Sequence, residues 1–158
     1  MGIRSRAVRV TTTTRIACPP ETVFDTLADL RNDTQWNSRV SRAELRSAEP
    51  VGLGSQFGIV NGGTAYDVTI TTYERPSRLV YEASGNPDLT IECTFTPTAE
   101  GTELESDFDF RPRGALKVLF PLLAPVIRRD VPKQYASLKA LCERSTPGRP
   151  AGRADPVR

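Results

Sequence analysis

The chain has 158 residues, the length of one domain, and a domain of that size buries enough surface to need no disulfide or structural metal. Its 21 basic and 19 acidic residues give a net charge of +2, all of it carried by the closing segment STPGRPAGRADPVR; the remaining 18 basic and 18 acidic residues leave no electrostatic footprint for nucleic acid. With no histidine, and with Cys18, Cys93 and Cys142 free of zinc or disulfide spacing, no metal site and no cofactor are expected.

MGIRSRAVR has a basic start without the apolar run of a signal peptide, so a cytoplasmic location is expected and residues 1–7 read as a flexible N-terminus. Residues 8–16, VRVTTTTRI, alternate and are β-branched, which predicts a half-buried strand. In CPPETVFDTLADLRN, Pro20 suits a first helical position, Glu21 the first turn, and Val23, Phe24, Leu27 and Leu30 form one apolar stripe. A helix of about three turns is predicted there.

Seven segments with period-two character follow: VSRAELRSA, PVGLG, SQFGIVNGG, AYDVTITTYERP, RLVYEASGNPD, LTIECTFTPTAEG and TELESDFDFRP. They predict about six further strands in an antiparallel meander, with Gly52, Gly54, Gly62 and Gly63 allowing positive φ at hairpins. Tyr66, Val68 and Ile70 share a face, as do Leu79 and Tyr81, the row Leu89, Ile91, Cys93 and Phe95, and the row Leu104, Ser106, Phe108 and Phe110. Opposite them fall Glu92, Glu103, Glu105, Asp107 and Asp109, which read as a solvated sheet surface.

The last apolar element, GALKVLFPLLAPVIRRDVPKQYASLKALCERS, is too short between Lys117 and Arg128 to cross a membrane. Its prolines predict a short bent segment through Pro125 or Pro132, then a firm helix from about Val131 to Arg144. Residues 145–158 carry no apolar anchor and read as a disordered tail behind one domain at 8–144. The order of elements is α+β: one sheet must bury its apolar face, and only the C-terminal helix is long enough to cover it.

CPPETVFDTLADLRNDTQWN, with Pro20, Glu21, Val23, Phe24, Leu27, Asp29 and Trp36, resembles the opening of the START-like superfamily, in particular its polyketide cyclase/dehydrase-like or SRPBCC branch. VGLGSQF, ERPSRLVYE, EGTEL and the closing PRGALKVLFPLLAPVIRR extend the resemblance over roughly residues 8 to 144. It implies a helix-grip fold (START-like, Bet v 1-like): a curved antiparallel sheet of about seven strands around a long C-terminal helix, with two short helices after the first strand. Between sheet and helix the family leaves an elongated apolar cavity, and Trp36 would close one end of it.

On that fold the residues expected to line the cavity are Trp36, Phe57, Tyr66, Val68, Tyr81, Ile91, Phe95, Phe108, Leu119, Leu123 and Tyr135, with Thr72, Cys93 and Ser106 among the polar groups turned inward. The resemblance implies binding of a small hydrophobic or aromatic molecule: a lipid, a polyketide or another secondary metabolite. A polyketide cyclase, aromatase or dehydratase is the alternative, with Tyr66 and Tyr81 as catalytic candidates, although an unperturbed tyrosine is a poor base. Arg78 reads as a surface residue, and the apolar run ALKVLFPLLAPVIRR reads as a helix buried against the sheet, with contact between its basic-flanked face and a bilayer surface as the lesser alternative.

Overall fold

The computed structural model describes residues 8–145. The start expected to be flexible lies outside them, as does the expected tail apart from Ser145, which ends a helix. In chain order the elements are β1 (Val8–Ile16), α1 (Pro20–Ala28), a 3-10 helix (Leu30–Gln35), β2 (Val40–Leu45), β3 (Gln56–Asn61), β4 (Thr64–Glu74), β5 (Arg78–Ser84), β6 (Asp88–Thr98), β7 (Gly101–Arg111) and α2 (Leu116–Ser145). PVGLG belongs to the loop between β2 and β3 and forms no strand.

All seven strands join one antiparallel sheet in the order β1-β7-β6-β5-β4-β3-β2. From β2 to β7 each strand pairs with its successor, and β1 returns to close the order against β7, so β1 and β2 are the two edges. This curved sheet with its long C-terminal helix is the helix-grip arrangement. Alternation decides the faces: Ile70, Leu79, Cys93, Phe95 and Leu104 point into the core, while Asp107, Glu92 and Glu103 meet Thr11, Arg78 and Arg15 on the outer surface. Arg78 is therefore a surface residue, held by Glu92 at 3.0 Å.

One slip in the register changes the parity. Between Ile70 and Thr72 the ladder of β4 with β5 shifts, so that Thr72 comes opposite Val80 and Tyr73 opposite the inward-facing Leu79. Tyr73, not Thr72, thus turns inward, where its ring meets Phe24 edge-on at 5.0 Å.

The β6–β7 hairpin needs a glycine for steric reasons. A Cβ on Gly101, whose φ is +151°, would stand 2.2 Å from the Ile16 carbonyl oxygen and 2.8 Å from the Cys18 nitrogen, both backbone atoms that have no side-chain freedom to yield. Gly101→Ala should cost about 1–3 kcal/mol, read as a lower midpoint in urea unfolding.

The C-terminal element departs from the expectation. It is one helix of 30 residues with Pro121, Pro125 and Pro132 inside it, not a bent segment followed by a shorter helix. The reason lies in the proline spacing, which places all three within about 40° of each other around the axis. All three are exposed, so the carbonyls that lose their partners face water, and a separate face about 90° around the axis keeps its burial through Phe120, Ala124, Tyr135, Leu138 and Cys142.

Candidate functional site

The two ends of the grip are packed differently. At one end α1 inserts Val23 and Phe24, both fully buried, against Phe95, Tyr73 and the second half of α2, which contributes Leu138 and Cys142. At the other end the first half of α2 and the sheet enclose a cavity of about 440 Å³. Its wall is made by Tyr66, Val68, Tyr81, Ala83, Leu89, Ile91, Phe108 and Phe110 from the sheet, and by Phe120, Leu123, Val126, Ile127, Val131 and Tyr135 from α2.

The 3-10 helix closes one side. Residues i and i+3 eclipse in that geometry, so Leu30, Asp33 and Trp36 fall on one face, and all three line the cavity. Trp36 is buried, with its ring 5.7 Å from Tyr135 in an edge-on arrangement, and Tyr135 in turn meets Phe108 at 5.9 Å. The chain's one tryptophan thus sits in a polar stretch because only its own face of a short helix turns inward.

Of the residues expected at the cavity, Trp36, Tyr66, Val68, Tyr81, Ile91, Phe108, Leu123 and Tyr135 lie in its wall. Phe57 and Phe95 do not: both are buried in solid core, Phe95 beside Phe24 at 5.2 Å. Leu119 does not either, since the unbroken helix turns it outward and leaves it 53% exposed, alongside Val118 and Leu122. Cys93 and Ser106 contact each other at 3.4 Å below the cavity floor, and burial pushes the Cys93 thiol up to about 12, so it is an inert thiol at neutral pH.

The two tyrosines considered for catalysis fare differently. The Tyr81 hydroxyl donates to the Leu27 carbonyl oxygen and is committed to holding α1 on the sheet. Tyr66 is half-buried, and desolvation raises its pKa. Desolvation also raises that of Tyr81 well above the ordinary value, so both stay protonated donors rather than bases.

The polar group that sequence reasoning missed is Asp33. Among the described residues, its Oδ1 and the Trp36 Nε1 are buried without a hydrogen-bond partner. Burial holds the Asp33 carboxyl well above the usual carboxylate range; the neighbouring Trp36 N–H opposes this in part, and the charge of Asp29 adds to it. The arginine on that segment does not relieve it, because Arg31 is engaged by Asp29 and Glu49, each at 2.8 Å. The i, i+3 spacing of Leu30, Asp33 and Trp36 was the available signal.

A carboxyl whose pKa is raised by folding favours the fold while it is protonated. Its contribution is full below the ordinary value of 3.8 and is lost as pH rises through the folded value. Asp33→Asn should therefore melt a few degrees above the parent at pH 8, with the gap closing toward pH 4, as followed by circular dichroism.

The rim is tied by polar clasps. On one side Arg39 pairs with Asp130, and Gln134 bonds both the Ser38 amide and its hydroxyl at 3.1 Å, joining the segment after the 3-10 helix to α2. On the other side Asn86 and Arg113 exchange two hydrogen bonds, of 2.9 and 3.2 Å, across the loops that precede β6 and α2. No helix among the described residues is long and apolar enough to cross a membrane.

Residues 7–143 match the model of a family described as polyketide cyclase / dehydrase and lipid transport. Among solved structures, the chain is similar to a START superfamily protein from Mycobacterium smegmatis, with a TM-score of 0.72 and 16% identity over 87% of this chain and 99% of that one. It is also similar to a protein from Thermus thermophilus, with a TM-score of 0.73 and 17% identity over 88% and 99%. DynU16, from the dynemicin biosynthetic locus, gives a TM-score of 0.65 and 20% identity, covering 88% of this chain and 48% of its own. The sequence matches no curated protein.

Proposed function

Because this chain belongs to the polyketide cyclase/dehydrase and lipid transport family, we propose that it binds one small hydrophobic or aromatic molecule in the cavity between the sheet and the first half of α2. The observation that carries this reading is the cavity itself: about 440 Å³ of space walled mainly by aliphatic and aromatic side chains, within the range that holds a ligand of modest size. Filling that space with side chains would have stabilised the fold, so leaving it open is a cost that ligand burial offsets.

Asp33 and Trp36 lie at the 3-10 helix and Tyr66 on β4, while Asn37, Asn61, Thr64, Asn86, Gln134 and the paired Arg39 and Asp130 add further polar groups to the lining. Such a wall orients a ligand without matching a highly charged one.

A cyclase or dehydratase activity is the second reading, favoured by one observation: a cavity-lining carboxyl, Asp33, beside an indole N–H, two polar groups of the kind that proton transfer to a bound carbonyl needs. The cavity would hold a reactive chain folded, and positioning would supply much of the rate.

Titration with an uncharged naphthalene fluorophore tests the binding reading. Saturable uptake at one site per chain, with a blue-shifted emission, is expected. Emission that stays at its aqueous wavelength at all protein concentrations would rule out an accessible apolar site.

A further inference from the structure

Resting on the cavity reading above, we infer that Asp33 and Trp36 form the polar recognition point of the site and select an uncharged ligand bearing a carbonyl or hydroxyl on an otherwise apolar body. Their placement carries the inference. Both side chains enter the cavity wall from the 3-10 helix and its end, where the Trp36 N–H stands beside the Asp33 carboxyl, and the buried Asp33 Oδ1 and Trp36 Nε1 form no well-aligned hydrogen bond among the described residues. Buried polar atoms normally form full hydrogen bonds, and an imperfect match is costly, so such a pair on a ligand-sized cavity has the character of a site awaiting its complement.

The charge balance around the pair sets the ligand class. Asp29 lies on the same stretch of chain, and the groups within its electrostatic reach on other elements are Tyr81 of β5, Cys93 of β6 and Tyr135 of α2. None of these is a cation. Arg39 and Asp130, the other charged residues on the wall, pair with each other at the rim. An ionised Asp33 would have no counter-charge, and burial favours its neutral form. As a neutral carboxyl it offers one O–H donor and an acceptor, and Trp36 offers a second donor. Two donors side by side suit a carbonyl oxygen, and the acceptor suits a hydroxyl. A carboxylate or sulfonate ligand finds no cation at this end and is disfavoured.

Three probes built on one ring system test this: prodan, a neutral naphthyl ketone; dimethylnaphthylamine, the same ring without the carbonyl; and dimethylaminonaphthoate, the anionic counterpart. Fluorescence titrations compare the parent, Asp33→Leu and Asp33→Asn across pH 5 to 9, a window of about four units around neutrality. The parent should bind prodan about 10-fold more tightly than the plain ring and should discriminate against the naphthoate, the size of effect that one or two buried hydrogen bonds supply. Asp33→Leu should lose that 10-fold for prodan and keep its affinity for the plain ring. Asp33→Asn, which retains a donor and an acceptor, should keep prodan binding.

Equal prodan affinity in the parent and Asp33→Leu, or parental affinity for the naphthoate or the plain ring equal to that for prodan, overturns the assignment while leaving the cavity reading intact. If Asp33→Leu does not fold, the parent's ranking of the three probes decides alone. Failure of even the plain ring to bind the parent overturns the cavity reading and this assignment together.

Discussion

Ala83→Trp is expected to give a folded protein whose affinity for an apolar probe has fallen more than about 100-fold. Ala83 is on β5, buried, and its methyl group is part of the cavity wall. Its partners across the sheet are Val68 on β4 and Leu89 on β6, which line the same space, so a side chain grown from this position enters the middle of the cavity and not a packed layer. An indole there takes the ligand's place and makes the ligand's apolar contacts from within the chain. Overpacking a solid core costs about 1–3 kcal/mol, but here the space already exists, so the melting temperature should hold or rise. Titration of the variant with prodan beside a thermal melt separates the two effects. Undiminished uptake by a folded variant would move the binding site elsewhere on the molecule.

Phe24→Ala should do the reverse, lowering stability by about 3–5 kcal/mol and the melting temperature by about 10 °C. Phe24 is fully buried at the closed end of the grip, edge-on to Tyr73 at 5.0 Å and tilted against Phe95 at 5.2 Å. Truncation removes the largest side chain that α1 inserts, and its ring neighbours Tyr73 and Phe95 are carried by sheet backbone that has little freedom to collapse into the gap. Because the cavity lies at the other end, the folded fraction should still bind the probe with parental affinity. A loss under about 1 kcal/mol in urea unfolding would contradict this account of where the fold is anchored.

The contrast between the two sites also explains why the exposed apolar face of α2 is tolerated. Phe120 and Ile127 cover the cavity, while Val118 and Leu122, 78% and 75% exposed, sit on the outward side of the same turns. A helix apolar on both sides packs less decisively than one with a single stripe, which is consistent with the hollow lying under this half and the solid core under the other.

Much of the fold was legible because it rests on local rules. Alternation along β4, β6 and β7 named the inward rows, Pro20 and Glu21 marked the start of α1, and the turn glycines Gly54, Gly62 and Gly63 adopt the positive φ expected of them, while Gly52 does not. The bulge in β4 defeated alternation at Thr72, since one extra residue reverses every later side chain and leaves no clear mark in composition. The prolines of α2 were read one at a time as breakers, when their shared exposed face makes them compatible with a single helix.

By itself, then, the sequence determined which surfaces are apolar, where β1 and α1 start, and the family; these follow from periodicity and from short motifs whose partners are a few residues away. Only the tertiary structure decided which inward residues wall a cavity and which fill the core, because that depends on the distance between sheet and helix at each point along the grip. Phe95 and Phe108 share the same inward orientation on neighbouring strands, yet one packs on Phe24 and the other faces open space. Asp33 was decided in the same way: in the chain it is one polar residue among many, and only the eclipsed spacing of a short helix against a hollow turns it inward.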